Sequence, residues 1–373
     1  SFLFLSLAMF PTVVFSQAEP VQDSLEEVVV SATKTEKPRR EIGSSISVIT
    51  SEDIEQQQAT EVSQVLRNVP GVSISKSGGG PGQSVAVRIR GAEANGTLIR
   101  LDGMELNQGN NDRYDLANIP TEIIERIEVV RGAQSVLYGS SANGGVINII
   151  TKKGTDESQF EISAEGGSFD FQRESVQYRD SVDGYRFNLS YQHEESNGFS
   201  QCNEERAGCS EDDGHEQDNA LINVQKQFTD QLEVSAGFRY VDAFVEGDNL
   251  TFSPFSDDNS FIEDEERNGF IELNYSMLDG RLNHTVRGDI VNVDNENLNS
   301  AFFADSFLSS EKETFQYEFD YRFNETYKLV GGVSLEEDEF NGSFTPNSTR
   351  EDDAYFGQIV ADYENLFITG AVR

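Results

Sequence analysis

The residues best suited to bind a metal lie in one acidic segment, Glu211-Asp212-Asp213-Gly214. Their carboxylates are hard oxygen donors packed closely around a glycine, which favours calcium over zinc. Further oxygen ligands could come from three other residues: Asp218, Asp248 and Asn249. Acidic runs are often only solvated surface, and this chain carries a formal net charge of −38. A metal-free exposed loop is therefore the alternative.

Cys202 and Cys209 lie just before that segment and are the only two cysteines of the chain. An apolar run at 2–15, followed by Ser16-Gln17-Ala18, resembles the core and cleavage site of a secretory signal, and the chain is expected to start within that signal. In an exported protein the two cysteines are predicted to form a disulfide that rigidifies the loop. Two free thiols are the alternative.

No combination of residues suggests catalysis, so we predict that the protein is not an enzyme. The three histidines, His193, His215 and His284, are scattered, and Ser140-Ser141 lacks the spacing of a nucleophile elbow. The glycine-rich segment 76–83, KSGGGPGQ, is not a phosphate-binding loop because no Gly-Lys-Ser/Thr follows it. A pI near 4.2 argues against nucleic-acid binding, which needs a basic surface.

The elements that carry these segments fall into two regions, and the first has a mixed pattern. Ser51 is predicted to begin one helix and Thr60 a second, which Pro70-Gly71 ends. The second helix would bury Val62, Val65, Leu66 and Val69 on one face. A short helix is expected over 121–126, after Pro120. With the intervening β-branched runs, this pattern predicts a small α+β domain with two polar loops, 76–83 and 107–114.

Val28-Val29-Val30 stands near the amino terminus in polar surroundings. An exposed β-branched run can add as a strand to the sheet edge of a partner protein. It can equally form the first strand of the domain's own sheet, and the residues alone leave both possibilities open.

From residue 158 onward, polar and apolar residues alternate over segments of about ten residues, which matches membrane-crossing β-strands of ~9–11 residues. About eleven such segments can be recognised. Short turns are expected near 182–184, 229–231, 278–280, 324–325 and 364–365, and long acidic loops near 195–217, 245–266, 294–311 and 339–352. Short turns on one side and long loops on the other are typical of outer-membrane barrels. A soluble β-sandwich is the alternative.

The region 26–153 resembles the plug domain of TonB-dependent outer-membrane transporters. The resemblance rests on EEVVVSATK, EVSQVLRNVPGV, VRIRGAEANGTLIRLDGMELN and IERIEVVRGAQSVLYGSSANGGVINIITK, which occur in the family's order. Together with the partial signal predicted at 1–18, it implies a TonB-box segment at 19–36, a plug at 37–153 and part of a barrel at 158–373. Plugged transporters have about 22 strands, so we expect an antiparallel membrane β-barrel truncated here. The resemblance assigns the TonB box to Glu27, Val28, Val29, Val30, Ser31, Ala32 and Thr33.

Within the family, segments such as EDDGHEQDNALINVQKQFTDQLEVSAGFRY are similar to the cobalamin transporters. This resemblance implies uptake of a corrinoid across the outer membrane of a Gram-negative bacterium, by a monomeric barrel driven by the inner-membrane TonB complex. It also implies that a structural calcium ion orders the outer loops. Metal ligands are expected at Glu211, Asp212, Asp213 and Asp248, and cargo contacts at Ser77, Gly79, Gln83, Asn110, Asn111 and Arg113.

Two other functions remain open: a receptor for another large chelate, a ferric siderophore or haem, and a surface or adhesion protein that does not transport. Four charged residues of the first domain, Arg90, Glu125, Glu128 and Arg131, could act as a lock released on transport. Static charge pairing that holds the domain together, or seats it against a wall, is the favoured interpretation.

Overall fold

The computed structural model describes residues 28–29, 37–38, 45–77, 80, 82–108, 112–200, 212–247, 260–299, 304–363 and 366–372. The N-terminal region contains α1 (Ser51–Gln57), α2 (Val62–Leu66), α3 (Ser135–Tyr138) and strands β1 (Val28–Val29), β2 (Lys37–Pro38), β3 (Ser45–Thr50), β4 (Val72–Lys76), β5 (Val85–Ile89), β6 (Thr97–Leu101), β7 (Met104–Glu105), β8 (Ile124–Arg131) and β9 (Gly145–Thr151). No helix in the described part of the chain is long and apolar enough to cross a membrane.

The C-terminal region consists of strands alone: β10 (Gln159–Gly166), β11 (Gln172–Val182), β12 (Tyr185–Ser196), β13 (His215–Thr229), β14 (Leu232–Gly247), β15 (Ser260–Met277), β16 (Leu282–Leu298), β17 (Ser306–Arg322), β18 (Tyr327–Gly342), β19 (Thr345–Tyr363) and β20 (Leu366–Val372). They form one antiparallel sheet of eleven strands in chain order. The strand number predicted from the alternating pattern is confirmed. The architecture is that of an antiparallel barrel wall preceded by an α+β plug.

The plug is built on a five-stranded sheet in the order β3-β8-β9-β6-β7, and β4 and β5 form a separate hairpin. Only β6 and β9 pair in parallel. Buried aliphatic side chains make the core, among them Leu66, Ile89, Leu101, Ile127 and Ile147. Two segments of the plug sequence are thus brought side by side, although they are nearly fifty residues apart.

The helix predictions in the plug are partly right. Helix α1 begins with a capping box, but the capping residue is Thr50, whose hydroxyl accepts from Asp53 N. The four side chains predicted on the apolar face of the second helix are all buried: Val62, Val65 and Leu66 in α2, and Val69 just after its end.

The short helix expected over 121–126 is wrong. A single 3-10 turn, Thr121–Ile123, leads directly into β8. The β-branched residues that follow, among them Ile124, Ile127 and Val129, extend because they pair with β3 and β9 and are buried there.

Most strands of the wall are longer than the ten residues predicted for a membrane crossing; β13 to β19 have 15 to 19 residues. Their ends opposite the short turns continue beyond the apolar part with carboxylates on the outward face, such as Glu263, Glu311 and Glu339. The long loop expected at 339–352 is wrong for this reason. Strand β18 continues to Gly342, which pairs with Thr345 of β19 across a tight turn.

Outward side chains form an apolar band that crosses the strands obliquely. One cross-strand row begins Tyr178–Leu189–Ile222–Phe238 and ends Glu313–Glu337–Glu351. A row runs perpendicular to the strands, whereas the band must follow the membrane plane. The change from apolar to acidic along one row therefore means that the strands are tilted, as in outer-membrane barrels.

Candidate functional site

The candidate site lies where the plug loop at 77–84 meets the barrel hairpins. The loop closes the β4–β5 hairpin, and Ser77 N donates to Ser84 O at 2.9 Å. Gln83 Nε2 donates to the backbone oxygen of Glu246 at the end of β14, also at 2.9 Å. A Cβ added to Gly82 would lie 2.8 Å from His215 Cδ2 of β13. The plug loop thus rests directly on the wall, and Gly82 is needed there because space is short and its φ is +66°.

Asp115 connects the two polar loops of the plug. Its Oδ1 accepts from Val85 N at 2.8 Å and from Ala117 N at 3.0 Å. Burial raises the pKa of the Asp115 carboxyl, and the hydrogen bonds from Ser84, Ala117 and Val85 oppose that rise. The carboxyl therefore fixes the second loop beside the base of the first.

Of the six residues predicted to contact cargo, the structure describes three. Ser77 and Arg113 are exposed, and Gln83 is half-buried and bonded to the wall. Arg113 lies at the end of the second loop, where it forms an isolated β-bridge with Gln108. Gly79, Asn110 and Asn111 lie outside the described residues. The described ones lie on the two loops that Asp115 joins.

The acidic segment predicted to bind calcium adjoins the same plug loop. Asp213 is buried, with 5% of its surface exposed, whereas Asp212 is exposed. Gly214 N donates to Glu246 Oε2 at 2.9 Å, so a second carboxylate, missed in the sequence, approaches this segment from β14. A Cβ on Gly80 would lie 4.0 Å from the backbone oxygen of Asp213. The predicted ligands Glu211 and Asp248, and Cys202 and Cys209, lie outside the described residues.

Asp218 does not join this segment, and its suggested role as a further ligand is wrong. In β13 the side chains of His215 and Gln217 are buried against the lumen, so Asp218, at the opposite parity, faces outward. There it accepts from Tyr191 Oη at 2.6 Å and lies 3.0 Å from His193 Nδ1. Within the described part of the chain, His193, Glu216 and Asp218 are the one group of three potential ligands whose atoms lie within 4.8 Å of one another.

In the described part of the wall, four cations bind the plug, and none of them was among the residues predicted from the sequence. Arg173 of β11 contacts Glu122 Oε1 and Thr60 O, each at 3.1 Å. Lys312 of β17 donates to Asn107 O at 2.8 Å and lies 3.3 Å from Glu105 Oε1. The others are Arg239 and Arg350. The alternation of the strands could have predicted that these side chains face inward. It could not predict their partners in the plug, because those partners are distant in sequence.

The contact made by Arg239 is the most enclosed of the four. Arg239 Nη1 lies 2.9 Å from Glu266 Oε2 of the next strand and donates to the Tyr114 hydroxyl of the plug at 3.3 Å. Its Nη2 donates to the backbone oxygen of Asn118. Burial and the adjacent Glu266 carboxylate raise the pKa of Tyr114 well above its usual range. The phenol therefore stays protonated and can donate to Glu266.

Of the four charged residues proposed as a lock or as static pairs, two form side-chain hydrogen bonds inside the plug. Buried Glu128 accepts from Arg126 Nε at 2.9 Å, and Arg131 Nη1 donates to Pro70 O at 2.7 Å. Arg90 adopts a left-handed backbone, with φ +52°, and its N–H donates to Gly71 O. Glu125 lines a cavity between plug and wall. These contacts agree with the static interpretation for Glu128 and Arg131.

At the amino terminus, Val28–Val29 pairs antiparallel with Lys37–Pro38. This two-stranded sheet is separate from the five-stranded sheet of the plug. The possibility that the run is a strand of the domain's main sheet is therefore wrong. Glu27, Val30, Ser31, Ala32 and Thr33 lie outside the described residues.

Comparisons with known proteins agree with this architecture. Residues 38–146 match the TonB-dependent Receptor Plug Domain, and residues 216–369 match a putative outer membrane beta-barrel porin family, MtrB/PioB. The vitamin B12 transporter BtuB of Photobacterium profundum is 28% identical over 94% of this chain and 56% of its own length. The vitamin B12 transporter BtuB of Vibrio vulnificus is 34% identical over 67% of this chain and 40% of its own length. The chain thus spans about half the length of these relatives.

Among solved structures, the ferripyoverdine receptor of the Pseudomonas aeruginosa outer membrane, bound to ferripyoverdine, superposes with a TM-score of 0.70. The match covers 92% of this chain and 53% of that chain at 16% identity, so it supports the fold and not the cargo.

Proposed function

Because the chain carries the plug and part of the barrel of a TonB-dependent receptor of the outer membrane, we propose that the complete receptor takes up a corrinoid. The observation that carries the proposal is the seating of the plug loop 77–84 against Asp213, His215 and Glu246. Cargo that touches this loop would be sensed at the same time by plug and wall. The similarity to vitamin B12 transporters over 94% of the chain supports a corrinoid as that cargo.

The exposed polar groups of the two plug loops, such as Ser77 and Arg113, suit a large ligand rich in amides. The proposed calcium ion would be held by Asp213 with Glu211, Asp212 and Asp248, and Glu246 is placed to assist. All are carboxylates, the ligand type that calcium prefers. Held there, the ion would neutralise a buried carboxylate and order the hairpin against which the plug loop rests. A disulfide between Cys202 and Cys209 would restrain the same hairpin.

Transport needs an energy source, and we propose that it is an inner-membrane TonB complex that pairs with the strand at Val28–Val29. In the present state that strand pairs with Lys37–Pro38, so the partner would have to displace this short pairing. Two residue pairs, one including a proline that lacks an N–H, make a weak competitor.

A ferric siderophore is the second candidate cargo, because a plug and a barrel wall by themselves do not distinguish one large chelate from another. Equilibrium binding to the complete purified receptor separates the two. We expect cyanocobalamin to bind at micromolar concentration or below, more tightly with calcium than with a chelator, and ferric pyoverdine not to bind. Binding of the ferric chelate alone would replace the corrinoid by a siderophore. Binding of neither would leave the cargo assignment without support.

A further inference from the structure

Three side chains on the outer face of the wall form a compact group of nitrogen and oxygen donors. They are His193 of β12 with Glu216 and Asp218 of β13, and their donor atoms all lie within 4.8 Å of one another. His193 and Asp218 are direct cross-strand partners in the register of the two strands. His193 Nδ1 lies 3.0 Å from Asp218 Oδ1. The group therefore joins two neighbouring strands of the wall at one point.

The group lies beyond the apolar band, toward the ends of β12 and β13 that are opposite the short turns. Along the outward face of β12, Leu189 is followed by Tyr191 and then by His193. Aromatic residues on the outer face mark the membrane interface in outer-membrane barrels, and Tyr191 is exposed there. His193 and the carboxylates beside it therefore lie on the aqueous side of that interface, where a dissolved ion can reach them.

The surroundings of the group are strongly acidic. Each of its members has a further carboxylate as a direct cross-strand neighbour: Glu174 beside His193, Glu195 beside Glu216, and Asp242 beside Asp218. Among the described residues, none of these five carboxylates forms an ion pair with a Lys or Arg, and the ion-pair contacts that they do make are with His193. Like charges on directly opposite residues destabilise a sheet. A bound cation would offset that repulsion.

The imidazole distinguishes this group from the other carboxylates of the outer face. His193 has Asp218 at its Nδ1 and Glu195, at 3.9 Å, near its Nε2. Imidazole together with carboxylates is a ligand set of zinc, whereas calcium takes oxygen ligands. Zinc bonds of about 2.0–2.2 Å would place the three donor atoms roughly 3–3.5 Å apart, close to the present distance between His193 and Asp218. Tyr191 Oη donates to Asp218 Oδ1 at 2.6 Å and would orient that ligand.

We infer that His193, Glu216 and Asp218 bind a zinc ion on the outer face of the wall. This site is separate from the calcium site proposed at the acidic segment 211–214 and does not depend on the identity of the cargo. The ion would tie β12 to β13 beside His215, the residue of β13 that contacts the plug loop from the inner face. Zinc held by three protein ligands keeps a fourth position open to water. The ion therefore stabilises, from outside, the strand pair on which the plug loop rests.

Calorimetric titration of the complete purified receptor with zinc tests the inference. Saturating calcium in the buffer keeps the acidic segment 211–214 from competing for zinc. We expect one zinc ion to bind at micromolar concentration. His193→Gln and Asp218→Asn should each weaken zinc binding at least ten-fold, because even a residue behind the ligands contributes about that much to metal affinity. His284→Gln is the matched control and should stay within about two-fold, because His284 also faces outward but lies 2.9 Å from the Tyr317 hydroxyl instead of a carboxylate.

X-ray absorption at the zinc edge identifies the donor atoms independently of affinity. We expect nitrogen and oxygen donors at about 2.0–2.2 Å, with one imidazole among them, and no sulfur at about 2.3 Å. Zinc should also slow hydrogen exchange of the backbone amides of β12 and β13 in the wild type but not in His193→Gln. The inference is overturned if the wild type binds no zinc, if His193→Gln binds it as tightly as the wild type, or if sulfur is among the donors.

Discussion

Arg239 on the barrel wall donates through Nη1 to the hydroxyl of Tyr114 in the plug at 3.3 Å, and both side chains are buried. The same guanidinium lies 2.9 Å from Glu266, which also accepts from Tyr114. One buried cation therefore neutralises a carboxylate of the wall and binds a phenol and a backbone carbonyl of the plug. Release of the plug at this point must break a charged network inside a low-dielectric interface.

Arg239→Met should loosen the plug because it leaves the Glu266 carboxylate buried without its cation. Removing one partner of a buried pair costs about 3–5 kcal/mol. Hydrogen exchange of the backbone amides at 114–118, measured in the complete receptor, should become faster by a corresponding factor. Arg239→Met combined with Glu266→Met removes both charges and should recover most of the protection. Unchanged exchange in the single variant would mean that the plug is held mainly elsewhere.

The alternation of polar and apolar residues was sufficient to predict the wall and its eleven strands, because side-chain parity in a strand follows directly from sequence. Parity could also have marked Arg239 and Lys312 as inward. It could not identify Tyr114, which is 125 residues from Arg239, or Asn107, which is 205 residues from Lys312. Such contacts depend on how the plug is oriented in the barrel, and a one-dimensional pattern does not contain that orientation.

The ends of the strands and the acidic segment 211–214 show a second limit to what the sequence predicts. A membrane crossing needs only about ten residues, but backbone pairing continues past the apolar band because the acidic ends still form ladder hydrogen bonds. The alternating pattern therefore locates the band better than it predicts the strand length. Asp213 was predicted as a metal ligand and Asp218 as a possible further one. Asp218 lies in β13 at the parity that faces outward, whereas Asp213 precedes the strand and is buried.

Asp213→Asn should weaken calcium binding at least ten-fold, because a buried anionic oxygen is replaced by a neutral amide. Calorimetric titration of the complete receptor with calcium measures the affinity. Asp218→Asn is the matched control, since that carboxylate faces outward, and it should leave the affinity within about two-fold. The reverse order of effects would place the ion on the outward group formed by His193, Glu216 and Asp218.

Asp115 should make the junction of the two plug loops less stable as pH rises. Its folded-state pKa lies above the ordinary value of 3.8, so the folded state binds more protons than the unfolded state between those two values. Stability is therefore fully present below pH 3.8 and falls as pH rises through the folded pKa. Hydrogen exchange at Val85 N and Ala117 N should accelerate over that window, beyond the intrinsic effect of pH.

Asp115→Asn keeps an acceptor for both amides and removes the titration, so the extra pH dependence at Val85 and Ala117 should disappear. Asp115→Ala removes the acceptor and should expose both amides at every pH, at a cost of about 1–3 kcal/mol for the unsatisfied groups. An identical pH profile for the wild type and Asp115→Asn would show that another group controls this junction.

Val29→Pro tests whether the amino-terminal strand couples the receptor to its energy source. Proline removes the N–H of residue 29 and cannot donate in a strand pairing, whether the partner is Lys37 or another protein. Val29→Thr is the matched control, because threonine keeps both the N–H and the β-branched shape. We expect cyanocobalamin uptake to be abolished by the proline and preserved by the threonine. Binding of cyanocobalamin to the purified receptor should be equal in both, since residue 29 lies outside the cargo loops. Full uptake by the proline variant would refute strand pairing as the coupling step, and a loss of binding would place this segment in the cargo site instead.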